Sequence, residues 1–321
     1  MKIGRYKREL SAGMAYVVLL VLVGSFAPSF FSAANLRDLA LNNAPVLLVA
    51  IGMTMVILVG EIDISVGSQF AVCSVAAGWL AKSGMPIPLL LPSVVLIGAA
   101  MGAVNGLLVG WLRLPSIIVT LAMLAAWRDA LRWVTQGAWV QDLPQNFQWL
   151  GFTQRSYPLV AAGTAGVLLL AFAWASRHTS AIRAMYATGS NAGAARLAGI
   201  NTGAMKFGAF VCVGALTGLA ALINSARFNQ IPANAGIGLE MKVIAAIVIG
   251  GTSITGGRGT ILGTVLGVML LGSIGPALTF LGVSAYWERA AQGGIILLAV
   301  SIDALSGRAE AYATHLLRAR A

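Results

Sequence analysis

Two carboxylates, two hydroxyls and two glycines occur within Gly60-Glu61-Ile62-Asp63-Ile64-Ser65-Val66-Gly67-Ser68, between two apolar runs. A carboxylate facing hydrocarbon costs roughly 2.5–3.5 kcal/mol on insertion scales, so such groups face a bundle interior, a water-filled path or a partner. A short cytoplasmic turn with solvated acids is the alternative. Asp63 is placed to cap a helix beginning at Ile64 by accepting the backbone N–H of Ser65 or Val66. Gly60 and Gly67 let the chain turn and approach another backbone, so the segment reads as a helix break of the kind that lines a translocation path. Catalysis is a poor fit, because Glu61 and Asp63 have no His, Lys or nucleophile beside them.

Two further segments carry polar chemistry. Gly250-Gly-Thr-Ser-Ile-Thr-Gly-Gly-Arg-Gly-Thr260 superficially resembles a phosphate loop, yet the chain contains no Gly-Lys followed by Ser or Thr. Its amides and the hydroxyls of Thr252, Ser253 and Thr255 can still line a path, with Arg258 at the cytoplasmic edge. The stretch Tyr186 to Asn201 reads as a short helix, N-capped by Ser190 or Asn191 and stopped at Gly199. It has little to bury alone, so it is either an interfacial connector or a surface for another protein. On the opposite side, Thr135 to Pro158, with Trp139, Phe147 and Trp149, and Asn224 to Lys242 read as membrane-belt aromatics or a docking surface.

The elements that position these segments follow from composition. Of 321 residues, 58% are apolar and 10% charged, and 38 are glycine, which describes an integral membrane protein. Apolar windows of spanning length recur at about 11–29, 43–60, 64–81, 88–111, 116–134, 158–175, 205–223, 243–257, 260–281 and 290–305. The expectation is an all-α polytopic bundle of about ten transmembrane helices forming one permease domain over residues 1–321, with the eighth short or broken. Ser32-Ala33-Ala34 could serve as a signal-peptidase site, but the preceding stretch is long enough to span and is read as the first helix.

An inside N-terminus puts Lys2, Arg5, Lys7, Arg8, Arg113, Arg177, Arg183, Arg196, Lys206, Arg258, Arg308, Arg318 and Arg320 in the cytoplasm, 13 of 21 basic residues. Both termini are then cytoplasmic, and the net charge of +11 reflects topology and not nucleic-acid binding. Gly98, Gly102, Gly106 and Gly110 form a smooth ridge for close helix packing, and Gly259, Gly263 and Gly267 form another. Cys73, Cys212, His178 and His315 are solitary, which gives no ground for a metal or redox centre.

With these segments in place, the chain resembles the permease subunits of ABC importers for ribose, xylose, arabinose and related sugars. Gly60 to Ser68 is similar to that family's Gly-Gly-Ile-Asp-Leu-Ser-Val-Gly-Ser signature. Ser190 to Ile200 resembles its coupling-helix stretch, and Gly250 to Gly263 its Gly-Gly-Thr-Ser…Gly-Gly-Arg-Gly-Thr…Gly segment. Gln136 to Pro144 and Ile231 to Lys242 look most like the rhamnose and autoinducer-2 branch. The resemblance implies a substrate path near Glu61, Asp63, Ser65, Ser68, Thr252 and Ser253. It also implies ATPase coupling through Gly189, Asn191, Ala194, Ala195, Arg196 and Gly199. The implied partners are an ABC ATPase that binds the ATP, leaving no cofactor in this chain, a periplasmic sugar-binding protein, a second permease subunit and membrane lipid.

Two residues depart from the pattern: Glu61 stands where the family has Gly, free to alter selectivity or pair with a base, and no acid precedes Ala194-Ala195. The expected activity is import of a monosaccharide, rhamnose favoured, across the bacterial inner membrane. Autoinducer-2 import and an ion-coupled transporter using Asp63 or Glu61 are the alternatives, and a branched-chain amino-acid permease is a related architecture. No enzymatic activity is expected.

Overall fold

A computed structural model describes residues 7–284, 286–288, 290 and 292–294. The expected span at 290–305 falls almost wholly outside these residues, as do Lys2, Arg5, Arg308, His315, Arg318, Arg320 and both termini.

Among the described residues the structure is helical, apart from one isolated bridge between Val140 and Ile231. The helices are α1 (Lys7–Phe26), α2 (Ala33–Leu58), α3 (Val66–Lys82), α4 (Ile87–Gly110), α5 (Ser116–Thr135) and α6 (Tyr157–His178). They continue with α7 (Ser180–Ser190), α8 (Ala192–Leu197), α9 (Thr202–Ser225), α10 (Leu239–Ile249) and α11 (Ile261–Phe280). Six of these, α1, α2, α4, α6, α9 and α11, are long and apolar enough to cross a membrane. The count of about ten is therefore not established. The eighth expected span is a helix of 11 residues that stops at Ile249, followed by glycine-rich coil. At 1.5 Å per residue it covers about 16 Å, roughly half the hydrocarbon thickness.

The bundle is organised around α2, which is buried along nearly all of its apolar window and packs against α9, α10, α11 and α6. Lipid tails are as apolar as leucine, so helices gain by close packing at small residues. The α4 ridge meets α9: a methyl group at Gly102 would overlap the Phe210 carbonyl oxygen, and one at Gly98 the Gly214 carbonyl oxygen. The second ridge seats Gly263 on Gly250 and Gly267 on Ala246, holding α11 against α10. Outward faces of α1, α4, α5 and α6 carry Val17, Leu96, Ile118 and Leu170, apolar and exposed as a lipid-facing surface requires.

Hydrogen bonds and close contacts sort the helix termini into two ends. The first contains the N-termini of α1, α5, α9 and α11, the C-termini of α2, α4 and α10, and the α7–α8 segment. Arg113, Arg177, Arg183, Arg196, Lys206 and Arg258 belong to it. The second contains residues 136–156 and 226–231, joined by the Val140–Ile231 bridge and by the Trp149 N–H donating to the Ala226 carbonyl, and from there the chain runs inward to seat Gly236 against Gly67 and Phe70. Phe147 is buried there and Trp149 packs edge-on against Tyr157, so neither forms the exposed belt the sequence suggested.

Candidate functional site

The break between α2 and α3 turns at Gly60, whose φ of +82° is a conformation that glycine adopts without a Cβ penalty. Asp63 follows, fully buried. Its Oδ1 accepts from the Ser65 amide at 2.8 Å and the Ser65 hydroxyl at 2.5 Å. Its Oδ2 accepts from Gln69 Nε2 at 3.1 Å and from Asn105 Nδ2, on α4, at 3.2 Å. The same two amides also reach Ser65 Oγ, each at 2.9 Å, and Ser68 Oγ donates to the Ser65 carbonyl. Four donors replace the water that a carboxylate loses on burial. The expected bond from the Ser65 amide is present, but α3 begins at Val66 with Ser65 as its N-cap residue, so Asp63 closes the preceding turn and does not occupy the cap.

Ser65, Ser68, Gln69 and Asn105 are as buried as Asp63, so the cluster is sealed inside the chain's own packing. Ile62 ties the break to α5: its amide donates to Ser116 Oγ and its carbonyl accepts from Thr120 Oγ1. Glu61 points the other way and forms an ion pair with Lys206 at the start of α9. Together they edge a cleft of about 380 Å³ that also exposes Trp111, Arg113, Arg196 and Asn201. Glu61 is thus separated from Asp63 and Ser65, although all three were expected along one path.

The three glycine-bearing segments meet at the first end of the bundle. The Gly257 amide donates to the Leu58 carbonyl at 3.0 Å, where α2 finishes. A methyl group at Gly189 would overlap that same carbonyl oxygen, and one at Gly256 would lie 2.8 Å from Gly60 Cα and 3.1 Å from Gly189 Cα. Tyr186 Oη donates to the Gly259 carbonyl at 2.6 Å, and Thr260 Oγ1 donates to Glu9 on α1 at 2.7 Å. Thr252 is buried against Gly259, and Ser253 closes a turn through its amide to the Arg258 carbonyl. These two residues shape the 250–260 loop and make no contact with the Asp63 cluster.

From this junction α8 projects. Asn191 Oδ1 accepts from the Ala194 amide at 2.9 Å, making Asn191 the N-cap that the sequence suggested. Gly199, with φ +80°, ends the turn in open space. Ala195 is buried against the protein, whereas Ala194 and Arg196 are exposed and Leu197 is 93% exposed.

A larger cavity, about 1050 Å³, opens between α2, the first turns of α10 and the residues Ser284, Tyr286, Glu288, Gln292 and Gly293. Val46 and Leu239 line it with Lys242, Ser284, Glu288 and Gln292.

The family model described as "Branched-chain amino acid transport system / permease component" matches residues 35–300. The chain belongs to this family. It is 37% identical over 300 residues to the autoinducer 2 import system permease protein LsrC of Escherichia coli O9:H4 (strain HS), covering 92% of this chain and 86% of that protein. The permease of the same name from Yersinia pseudotuberculosis serotype O:1b (strain IP 31758) is 35% identical over 297 residues, 92% and 84% of the two chains. That from Salmonella paratyphi B (strain ATCC BAA-1250 / SPB7) is 35% identical over 307 residues, 94% and 87%. No solved structure matches.

The chain is therefore a multi-pass ABC importer permease, and the family is one of transport and not of catalysis. Several residues of the permease's site escaped the sequence reading. Asn105 is the polar member of the α4 glycine face, one turn from Gly102 and next to Gly106, and that placement was its signal. Gln69 lies one turn after Ser65 on α3, and Lys206 is the base that Glu61 pairs with. Lys242 and Glu288 were not singled out either. Nothing in the sequence alone marks them as sharing a cavity.

Proposed function

We propose that this permease carries autoinducer 2 across the bacterial inner membrane. A separate ATPase docks on α8, and a periplasmic binding protein delivers cargo to the opposite end. The observation that carries the coupling half is the junction of Gly60, Gly189–Ser190 and Gly256–Gly257 beneath the exposed α8. A push on α8 reaches the ends of α2, α7 and α10 through backbone contacts with no side chain between them, so the displacement is transmitted with little slack. The basic residues gathered at this end favour its facing the cytoplasm. A second permease subunit, identical or homologous, would complete the path.

The cargo rests on the relatives. All three named above are autoinducer 2 import permeases, which favours that cargo over rhamnose. An ion-coupled mechanism gains no support from the two acids: Asp63 is held by four donors and Glu61 is paired with Lys206. Proteoliposomes containing the permease, its ATPase and its binding protein test the proposal. ATP should drive accumulation of autoinducer 2 well above that of rhamnose. Accumulation of rhamnose alone would overturn the cargo, and uptake driven by an ion gradient without the ATPase would overturn the transport class.

A further inference from the structure

We propose that the cavity between α10 and the residues Ser284, Tyr286, Glu288, Gln292 and Gly293 is where the cargo is held during passage, with Lys242 and Glu288 as its principal polar contacts. The proposal rests on the transport function above and adds the place and the ligand chemistry.

Depth comes first. Val46 lies halfway along α2, and α10 is too short to cross, so its N-terminal half begins deep in the bundle and runs to the first end. Half-helices that start at mid-membrane, beside a cavity, are how transporters bring polar backbone and side chains to a substrate. Charge is the second observation. Lys242 and Glu288 line the same cavity from different elements. An ammonium and a carboxylate at this depth are costly unless they serve a path or each other. Gln292 Nε2 donates to Glu288 Oε1 at 2.9 Å, fixing the carboxylate's direction.

The donor set matches a neutral, hydroxyl-rich molecule. Glu288 accepts, Lys242 donates, and Ser284 and Gln292 can do either, while Val46, Leu239 and Ala245 offer apolar surface to a carbon skeleton. One cation and one anion leave the pair with no net charge to favour an ionic ligand. The volume, about 1050 Å³, admits a monosaccharide-sized molecule with its water. The Asp63 cluster, by contrast, is sealed.

The test uses the complete reconstituted importer, with autoinducer 2 and rhamnose as probes. Lys242→Met and Glu288→Gln should each lower uptake of the carried probe about tenfold, the size of one charge-assisted hydrogen bond, and Lys242→Arg should restore most of it. Wild-type uptake in both variants would overturn the site. Met241→Cys gives a readout that does not need those variants to fold, because Met241 is exposed on the cavity wall. Carried probe plus ATP and vanadate should slow its labelling by a membrane-impermeant maleimide several-fold. Labelling that is blocked with and without probe would show that a second copy fills the cavity, and would also overturn the proposal. If the wild-type complex carries neither probe, the cargo assignment fails. The cavity is then judged by whether ATP and vanadate alone change Met241→Cys labelling: a change upholds a path there, and none overturns it.

Discussion

Asp63 has four donors, and three of them are side-chain groups: those of Ser65 at the α3 N-cap, Gln69 on α3 and Asn105 on α4. Removing it leaves the Ser65 N–H without its acceptor and takes one of two acceptors from each of the Gln69 and Asn105 amides, at about 1–3 kcal/mol per orphaned group. Glu61 is different, because its partner Lys206 lies on a cleft with access to water and can be solvated alone. Asp63→Ala is therefore expected to lower the melting temperature in detergent and to impair uptake more than Glu61→Gly, which restores the residue common in the sugar-permease signature. Equal, wild-type behaviour of both variants in the melting and uptake assays would remove the cluster's role. The acceptor role of Asp63 towards Ser65 was legible from spacing alone. The contribution of Asn105, 42 positions away, was not, because only the α4 packing brings it there.

At the scale of elements, the glycine ridge of α4 was visible as a four-residue repeat, and it does receive another backbone. Its partner was not visible, since the matching small residues of α9, Gly203, Gly214 and Gly218, are unevenly spaced and become a groove only when docked. Gly102→Val would force the two helices apart, because its Cβ overlaps the Phe210 carbonyl, at about 1–3 kcal/mol or more of overpacking. Gly163→Val, on the open face of α6, meets nothing and should be silent. Expression and melting temperature compared between the two variants check this, and equal values would contradict the α4–α9 interface. Boundaries were least legible where glycine intervenes. The window 243–257 was expected to be short or broken, and Gly250 and Gly251 do end α10 and leave a half-length helix, at a point the hydropathy window did not mark. Hydropathy records burial in this stretch and not helical continuity.

For the whole molecule, membrane insertion and the helical class follow directly from composition, because a chain this apolar can satisfy its backbone in lipid only within helices or a closed barrel. The meeting of the three signature segments could not be read from the sequence, in which they are separated by more than a hundred and by about sixty residues. It is a property of the bundle, and it turns three motifs into one device. The end that bears α8 carries the close backbone contacts, and the opposite end carries the connections 136–156 and 226–231. ATP-driven closure at the first end would re-aim the cavity bounded by α2 and α10, as alternating access requires. The most direct test is a zero-length or short-span cross-link from Leu197→Cys, at the exposed tip of α8, in the assembled importer. The account predicts a product containing the ATPase subunit from Leu197→Cys and none from Trp139→Cys at the other end. A Trp139→Cys product with the ATPase, and none from Leu197→Cys, would contradict it.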